Sequence, residues 1–340
     1  MKSALPKVLH PLLGRSLLSH AMHAVMGLSP EDVVVVVRHD RDAVAAEALR
    51  VLPSAVVADQ DEVAGTGRAV YCGLVSAAEQ GQPLSGTILV TSADVPLLET
   101  KTLEKLVRYH EKGGAAVTLV STIVDEPKGY GRIVRENRSD PDAAVLGIIE
   151  HRDATEEQRK IREINAGIYA FDAEFLLDAL SRVGDANDQG EVYLTDTVAL
   201  AVKDGVVAQA FVLQDRWQAE GCNDRWQLAA LRTELNRRIC EKHAVKGVGI
   251  IDPATTSIDV EVTIERDAII RPFTSLEGTT TVGKDAVVGP HSTVIHSSVG
   301  EGAQVPSAYL VGAQIAPAEE VLPFTRIIRV QSSGAEGKNK

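Results

Sequence analysis

The chain is short of three things: cysteine, net positive charge and long apolar runs. Its three cysteines, Cys72, Cys222 and Cys240, are odd in number and far apart, which argues against a disulfide framework and leaves no metal-ligand spacing. They read as packing residues of a protein in a reducing compartment. The net charge of −12 argues against broad electrostatic binding to nucleic acid or to an anionic membrane, although a local basic pocket for a small phosphate ligand would be invisible in that sum. No stretch approaches the roughly 20 apolar residues of a membrane span, and the first residues lack a signal peptide's apolar core and small-residue cleavage site. A cytoplasmic location is expected.

What is present is the composition of a folded protein: 340 residues, 44% apolar and 24% charged, enough chain for two domains. Up to about Asp215, short apolar runs such as "DVVVVV", "SAVVAD", "GTILVTSAD" and "AAVTLVSTIV" alternate with segments of helical period such as "TLEKLVRYHEK" and "FLLDALSRV". The alternation predicts an α/β domain. Runs apolar at every position, like Val33 to Val37, predict strands buried on both faces of a mainly parallel sheet covered by helices. "NDRWQLAALRTELNRRICEKHAV" then places apolar residues at Trp226, Leu228, Leu231, Leu235 and Ile239, which predicts one long amphipathic helix bridging two domains.

Beyond that helix the period becomes six. Ile258, Ile264, Ile270, Leu276, Val282, Val288 and Val294 stand six residues apart, and after a one-residue slip Val299, Val305 and Val311 resume the spacing. The physical reading is a left-handed parallel β-helix, in which three hexapeptides form one triangular coil and the aliphatic residue of each fills the interior. An ordinary antiparallel sheet is the competing reading. At about eighteen residues per coil the repeats amount to about three coils. His291 and His296 lie on them and read as surface or coil-packing residues.

Several short motifs carry chemistry, each weak alone. "SADVPLL" puts Asp94 at the C-terminal end of an apolar strand, where open α/β sheets bind ligands; a turn cap is the ordinary alternative. "EVAGTGRAV" sets Gly65 and Gly67 around Thr66 just before a helix, so that backbone N–H groups could approach a base or sugar closely. "GYGRI" reads as a β-turn or as a close approach to a ligand. "INAGIYAF" and "GEVYLTD" embed Asn165, Tyr193 and Thr195 in apolar surroundings, where each needs a partner.

Taken together and in order, "LPKVLHPLLG", "AGTG", "ADVPLL", "GYGRIVREN", "IIEHRDAT", "INAGIYAF", "GEVYLTD" and "EGCNDR", ahead of hexapeptide repeats, resemble the bacterial N-acetylglucosamine-1-phosphate uridylyltransferases of the GlmU family. The resemblance runs to about Val305. It implies a Rossmann-like nucleotidyltransferase domain over 1–221, incomplete at its N-terminus, a linking helix over 222–246, a short β-helix over 247–316 and a C-terminal extension over 317–340, with "QSSGAEGKNK" as a disordered tail. Family members open on a strand and a loop reading L-A-A-G-x-G-T-R-M, and Met1 matches the final Met of that signature. The expectation is therefore a start placed too late, missing a strand of roughly 5 to 6 residues together with the phosphate-cradling loop and the family's catalytic Arg. On that expectation the chain as it stands is weakly active or inactive.

The implied reaction moves a uridylyl group from UTP to N-acetylglucosamine 1-phosphate, giving UDP-N-acetylglucosamine for cell-wall precursors, with Mg²⁺ as cofactor. The family's functional positions fall on Asp94 and Asn223 as Mg²⁺ ligands, hard oxygen donors of the kind Mg²⁺ prefers. Lys7 matches the phosphate-contacting lysine of the "LPK" segment. Gln60, Gly65 and Thr66 match the uracil loop, and Gly131, Glu150, Asn165, Tyr193 and Thr195 match the grip on the sugar and nearby phosphate. The chain departs from the family pattern at Ser92 and Ala93, where a Tyr-Gly pair is frequent, and at Cys222 and Asp224 around the asparagine. No acetyltransferase activity is expected, because that site lies on later coils of a longer β-helix. A homotrimer through the β-helix is expected from the resemblance. Two other readings stand beside it: another sugar-phosphate nucleotidyltransferase, and a sugar-nucleotide-binding protein without catalysis.

Overall fold

The computed structural model describes residues 1–82, 84–137, 140, 143–184 and 189–329; the predicted tail "QSSGAEGKNK" lies outside them. The chain divides into two compact units, one of Met1–His10 with Ser16–Gln227 and one of Pro11–Arg15 with Leu228–Lys340. Among the described residues, no helix is long and apolar enough to cross a membrane.

In the first unit the strands are β1 (Val34–Val37), β2 (Val56–Asp59), β3 (Thr87–Val90), β4 (Val117–Ile123), β5 (Arg132–Arg135), β6 (Val145–Ile149), β7 (Glu163–Asp172) and β8 (Ala208–Val212). Its helices are α1 (Leu17–Met26), α2 (Arg41–Val51), α3 (Thr66–Glu79), α4 (Thr100–Gly113), α5 (Glu156–Arg159), α6 (Ala173–Arg182) and α7 (Asp196–Lys203). A larger sheet runs β8-β4-β7-β5-β6, with β3 also paired to β7, and β1 pairs β2 alone. The β1–β2 and β4–β8 pairs are parallel, whereas β7 runs antiparallel to β3, β4 and β5. The apolar runs could not reveal this reversed strand, because a strand buried on both faces has the same composition in either direction.

Alternation along the central strands sorts the side chains into two cores, as period-two geometry requires. Leu119, Tyr169 and Phe171 pack with Leu74 of α3, Leu176 of α6 and Val198 of α7, while Val120, Ile168 and Ala170 pack with Leu103 and Leu106 of α4. Helices therefore cover both faces of the sheet, the layered α/β arrangement that the sequence predicts. Local signals set several helix ends: Ser16 caps α1 by accepting from Ser19 N, and Asp172 caps α6 by accepting from Phe175 N, each satisfying an otherwise orphaned donor.

The second unit is a parallel β-helix. Three sheets of four, five and four short strands stack in parallel, giving four full coils and one strand more, rather than the predicted three. The extra strand, Arg326–Ile328, pairs with Tyr309–Val311, so the repeat runs past the point where the spacing placed its end. Nine predicted interior residues, from Ile258 to Val305, are buried. Val311 is not one of them: Leu310 takes the interior position and pairs with Val294. Two further corners have each lost one residue, before Leu310 and before Ile315, so the register slips three times rather than once.

Helix α8 (Arg225–Val245) enters this unit from Leu228 onward. It buries Leu231, Ile239 and Cys240, and Asn236 ties it to the first coil by donating to Thr256 O at 2.7 Å and accepting from Ile258 N at 3.1 Å. Trp226, assigned to the apolar face by periodicity, is 84% exposed. The segment Pro11–Arg15 also belongs here. Leu13 is buried in the β-helix core, its carbonyl accepts from Val260 N at 3.1 Å, and Arg15 pairs with Glu261. The apolar cluster near the chain start thus has a coil to cover. His291 stacks on Phe273 at 4.9 Å and His296 Nδ1 accepts from Thr279 N at 3.3 Å, both coil-packing contacts.

Candidate active site

Strand β3 delivers Asp94 four residues past its end, in the "TSAD" turn. Lys7 sits on a short 3₁₀ turn, Lys7–Leu9, entered by Pro6, whose fixed φ suits that position. Asn223 lies just before α8. Its N–H donates to Gln227 Oε1 at 2.6 Å, and Asp224 accepts from Gln227 N at 2.8 Å. Asp224 therefore serves as a helix cap in this turn. The two outer segments are joined by Cys222 N donating to the Asp94 carbonyl at 3.0 Å. Burial pushes the Cys222 thiol up to about 11, so it stays a packing thiol as its apolar reading implied.

These three segments bring three side chains to one point. The Lys7 ammonium lies 2.5 Å from Asp94 Oδ2 and donates to Asn223 Oδ1 at 2.8 Å. A carboxylate and an amide oxygen converging on a positive charge form the kind of donor pair that suits a hard divalent cation. Among the described residues no group of three or more His, Cys, Asp or Glu could hold a metal, so such a cation would take its remaining ligands from water and substrate oxygens, as Mg²⁺ commonly does.

A second group gathers around Glu150 at the end of β6. Thr195 Oγ1 donates to Glu150 Oε1 at 3.2 Å. Gly131 accepts from Asn165 N at 2.9 Å, and a Cβ on it would press on Ile148 at 2.9 Å and meet Glu150 at 3.4 Å. The glycine of "GYGRI" is thus explained by crowding against its own hairpin. Asn165 Nδ2 donates to Tyr169 Oη at 2.6 Å, and Gln189 Nε2 donates to Tyr193 Oη at 2.5 Å. Burial raises the Glu150 carboxyl above the usual carboxylate range, with Asp153 and Asp196 pushing the same way and the Thr195 hydrogen bond opposing. Burial likewise raises the Tyr169 phenol, so both groups favour their neutral forms.

The third group is the predicted uracil loop. Gln60 Nε2 donates to the carbonyls of Val63 and Gly65 at 2.9 and 3.1 Å. Gly65 has φ +120, and a Cβ there would collide with the Val192 carbonyl and lie 2.5 Å from Val192 N. Gly67 N donates to Val192 O, and Val192 N donates to Ala64 O, both at 2.9 Å. The close backbone approach expected of this Gly-x-Gly turn is therefore made to the extended "GEVYLTD" loop before α7, and the Gly67 N–H is already used. Thr66 Oγ1 accepts from Leu194 N at 3.1 Å.

Residues 192–195 consequently join the loop at Gly65–Thr66 to the group at Glu150. No local sequence signal marks this hub at Val192, since its partners lie more than a hundred residues away. None marks Tyr130 either, whose phenol is raised first by burial and then by the negative charges of Glu220 and Asp94. That charge effect places the "GYGRI" turn within electrostatic reach of the Lys7–Asp94–Asn223 group.

Comparison with known proteins identifies the family of the chain. The nucleotidyl transferase family model matches residues 2–226. The bifunctional protein GlmU of Pseudarthrobacter chlorophenolicus is 48% identical over 338 residues, spanning 99% of this chain and 68% of that protein. The GlmU of Kineococcus radiotolerans is 46% identical over 338 residues, spanning 99% and 67%. Among solved structures, a UDP-glucose pyrophosphorylase complexed with UDP-glucose superposes with a TM-score of 0.53 at 16% identity, covering 69% of this chain and 91% of that one, a likeness of fold. On the extent of these matches, the chain belongs to the GlmU family of nucleotidyl transferases.

Proposed function

We propose that the first unit transfers the uridylyl group of UTP to the phosphate of N-acetylglucosamine 1-phosphate, giving UDP-N-acetylglucosamine and pyrophosphate. The observation that carries this reading is the meeting of Lys7, Asp94 and Asn223 at one point beyond a strand end. In the step itself, an oxygen of the sugar phosphate attacks the α-phosphorus of UTP while the bond to the bridging oxygen breaks, and that oxygen leaves with pyrophosphate. Such an in-line displacement asks mainly for positioning and charge neutralisation. Asp94 and Asn223 would hold Mg²⁺, which when bound neutralises and orients the phosphate oxygens. Lys7 opposes repulsion between the two phosphates with a mobile point charge. Gln60, Gly65 and Thr66 form the uracil side of the site. Gly131, Glu150, Asn165, Tyr193 and Thr195 form the sugar side, where the Glu150 carboxyl, held by Thr195 Oγ1, offers hydrogen-bonding oxygens to sugar hydroxyls.

The test is pyrophosphate release from UTP, dTTP, ATP or GTP with N-acetylglucosamine 1-phosphate and Mg²⁺, run on this chain and on a form extended to the nearest upstream in-frame start. Release from UTP alone by the extended form, lowered by about a thousandfold in its Asp94→Ala variant, is the expected result; equal release from all four, or full activity without Asp94, overturns the reading. The same proposal places the protein in the cytoplasm and makes it a homotrimer through the β-helix. Apolar side chains exposed on the coils, among them Ile251, Phe273 and Tyr309, support that assembly. A monomeric mass by light scattering would rule it out.

A further inference from the structure

We propose that Lys7 is a displaceable counterion, whose ammonium fills the cation position between Asp94 and Asn223 until a nucleoside triphosphate draws it onto its phosphates and leaves both oxygens to a divalent cation. The inference rests on the reading of Asp94 and Asn223 as metal-holding residues and goes beyond it in assigning Lys7 two successive partners.

Three observations carry it. First, Lys7 Nζ contacts both oxygens, Asp94 Oδ2 at 2.5 Å and Asn223 Oδ1 at 2.8 Å. A surface ion pair needs only the carboxylate; recruitment of the neutral amide oxygen makes this a two-point cation site. A divalent ion such as Mg²⁺ would sit about 2.0–2.1 Å from the same oxygens, within one ligand shell of the ammonium, and repulsion between the two positive charges makes occupancy exclusive.

Second, the backbone that carries the two oxygens is tied down at both residues, and the ammonium stands at the end of a long side chain. Cys222 N donates to the Asp94 main-chain carbonyl at 3.0 Å, and the Asn223 main-chain N–H donates to Gln227 Oε1 at 2.6 Å. Lys7 instead reaches in on a flexible four-carbon stem, with a side chain 36% exposed against 19% for Asp94. It can leave without moving the frame. Third, an ammonium has three donors, and these two contacts use two of them. The third can engage a phosphate oxygen before the first two let go, so nucleotide and metal become coupled ligands that raise each other's affinity.

The experiment titrates the full chain with Mn²⁺ and no nucleotide, following free Mn²⁺ by electron paramagnetic resonance. Lys7→Met is expected to bind Mn²⁺ at least about tenfold more tightly than the parent. Arg225→Gln, which removes a positive charge near Asn223 without freeing either oxygen, is expected to change it by less than about threefold, and adding Asp94→Asn to Lys7→Met is expected to abolish the gain. Equal affinity of Lys7→Met and the parent overturns the proposal. So does a gain that Arg225→Gln reproduces, or one that survives Asp94→Asn. Because no UTP is present, these outcomes are independent of whether the protein transfers a uridylyl group.

Discussion

The two units handle buried polar groups and awkward backbone in opposite ways. In the β-helix each solution recurs from coil to coil. Ser292 Oγ donates to Val305 O at 2.7 Å, and Thr280 Oγ1 donates to Val294 O at 3.1 Å. Corner residues adopt positive φ whether they are Asp267, Asp285, His291, Ser307 or Ala318. In the nucleotidyltransferase unit each solution occurs once: Gly65 against Val192, Gly131 against the β5–β6 hairpin, Thr195 against Glu150. Repetition spreads a structural demand over many equivalent positions, whereas the site places it on single residues. Substitutions should therefore cost most where a demand is met only once.

Gly65→Ala is the largest expected effect, about 4 kcal/mol, because it combines a forbidden φ with a clash against backbone. Urea unfolding measures the loss, and hydrogen exchange should rise at Val192 and Gly67, whose mutual hydrogen bond would break. In the β-helix, Leu276→Ala should cost about 3 kcal/mol through the cavity it leaves between stacked coils, measured by the same unfolding transition. Gly302→Ala sharpens the contrast. This glycine also has positive φ, +68, but nothing lies within 4 Å of its Cβ position, so the cost should be about 1 kcal/mol; equality with Gly65→Ala would break the comparison.

The smallest effect depends on pH. The Glu150 carboxyl is raised in the fold chiefly by burial, so folding is penalised when it ionises. Glu150→Gln removes that penalty and should raise the melting temperature at pH 7.5. The gain is complete above the raised folded value and vanishes as pH falls below the unfolded value of about 4.3. A constant difference from pH 4 to pH 8 would mean that burial of this carboxyl is not what the substitution relieves.

The β-helix was legible because its interior demand repeats in the sequence itself, from Ile258 at six-residue steps, and failed only where corners shorten, at Leu310 in place of Val311. The site was legible as a set of residue identities, since Lys7, Asp94 and Asn223 stand in short motifs whose order carries the family resemblance. Its mutual support was not. The partner of Gly65 is Val192, and that of Glu150 is Thr195; neither distance along the chain carries a period or a local signal. Direction of pairing escaped for a related reason: apolar alternation reports which face is buried, and the antiparallel β7 buries the same residues that a parallel strand would. Pro11–Arg15 misled in another way. Its apolar residues signal burial correctly, but nothing local tells which core receives Leu13.

The stacking of the β-helix has a consequence for how such a chain can change length. From Ile258 through Leu276 to Val294 the pairing advances by one coil at a time. A duplication of that whole period would add one layer and return every later residue to the face it already occupied. An insertion of a single hexapeptide would instead turn everything after it by one side of the triangle, moving whole faces in concert while leaving the interior filled. Growth in whole layers is thus nearly silent, and growth by a third of a layer rewrites the outer surface without a single substitution.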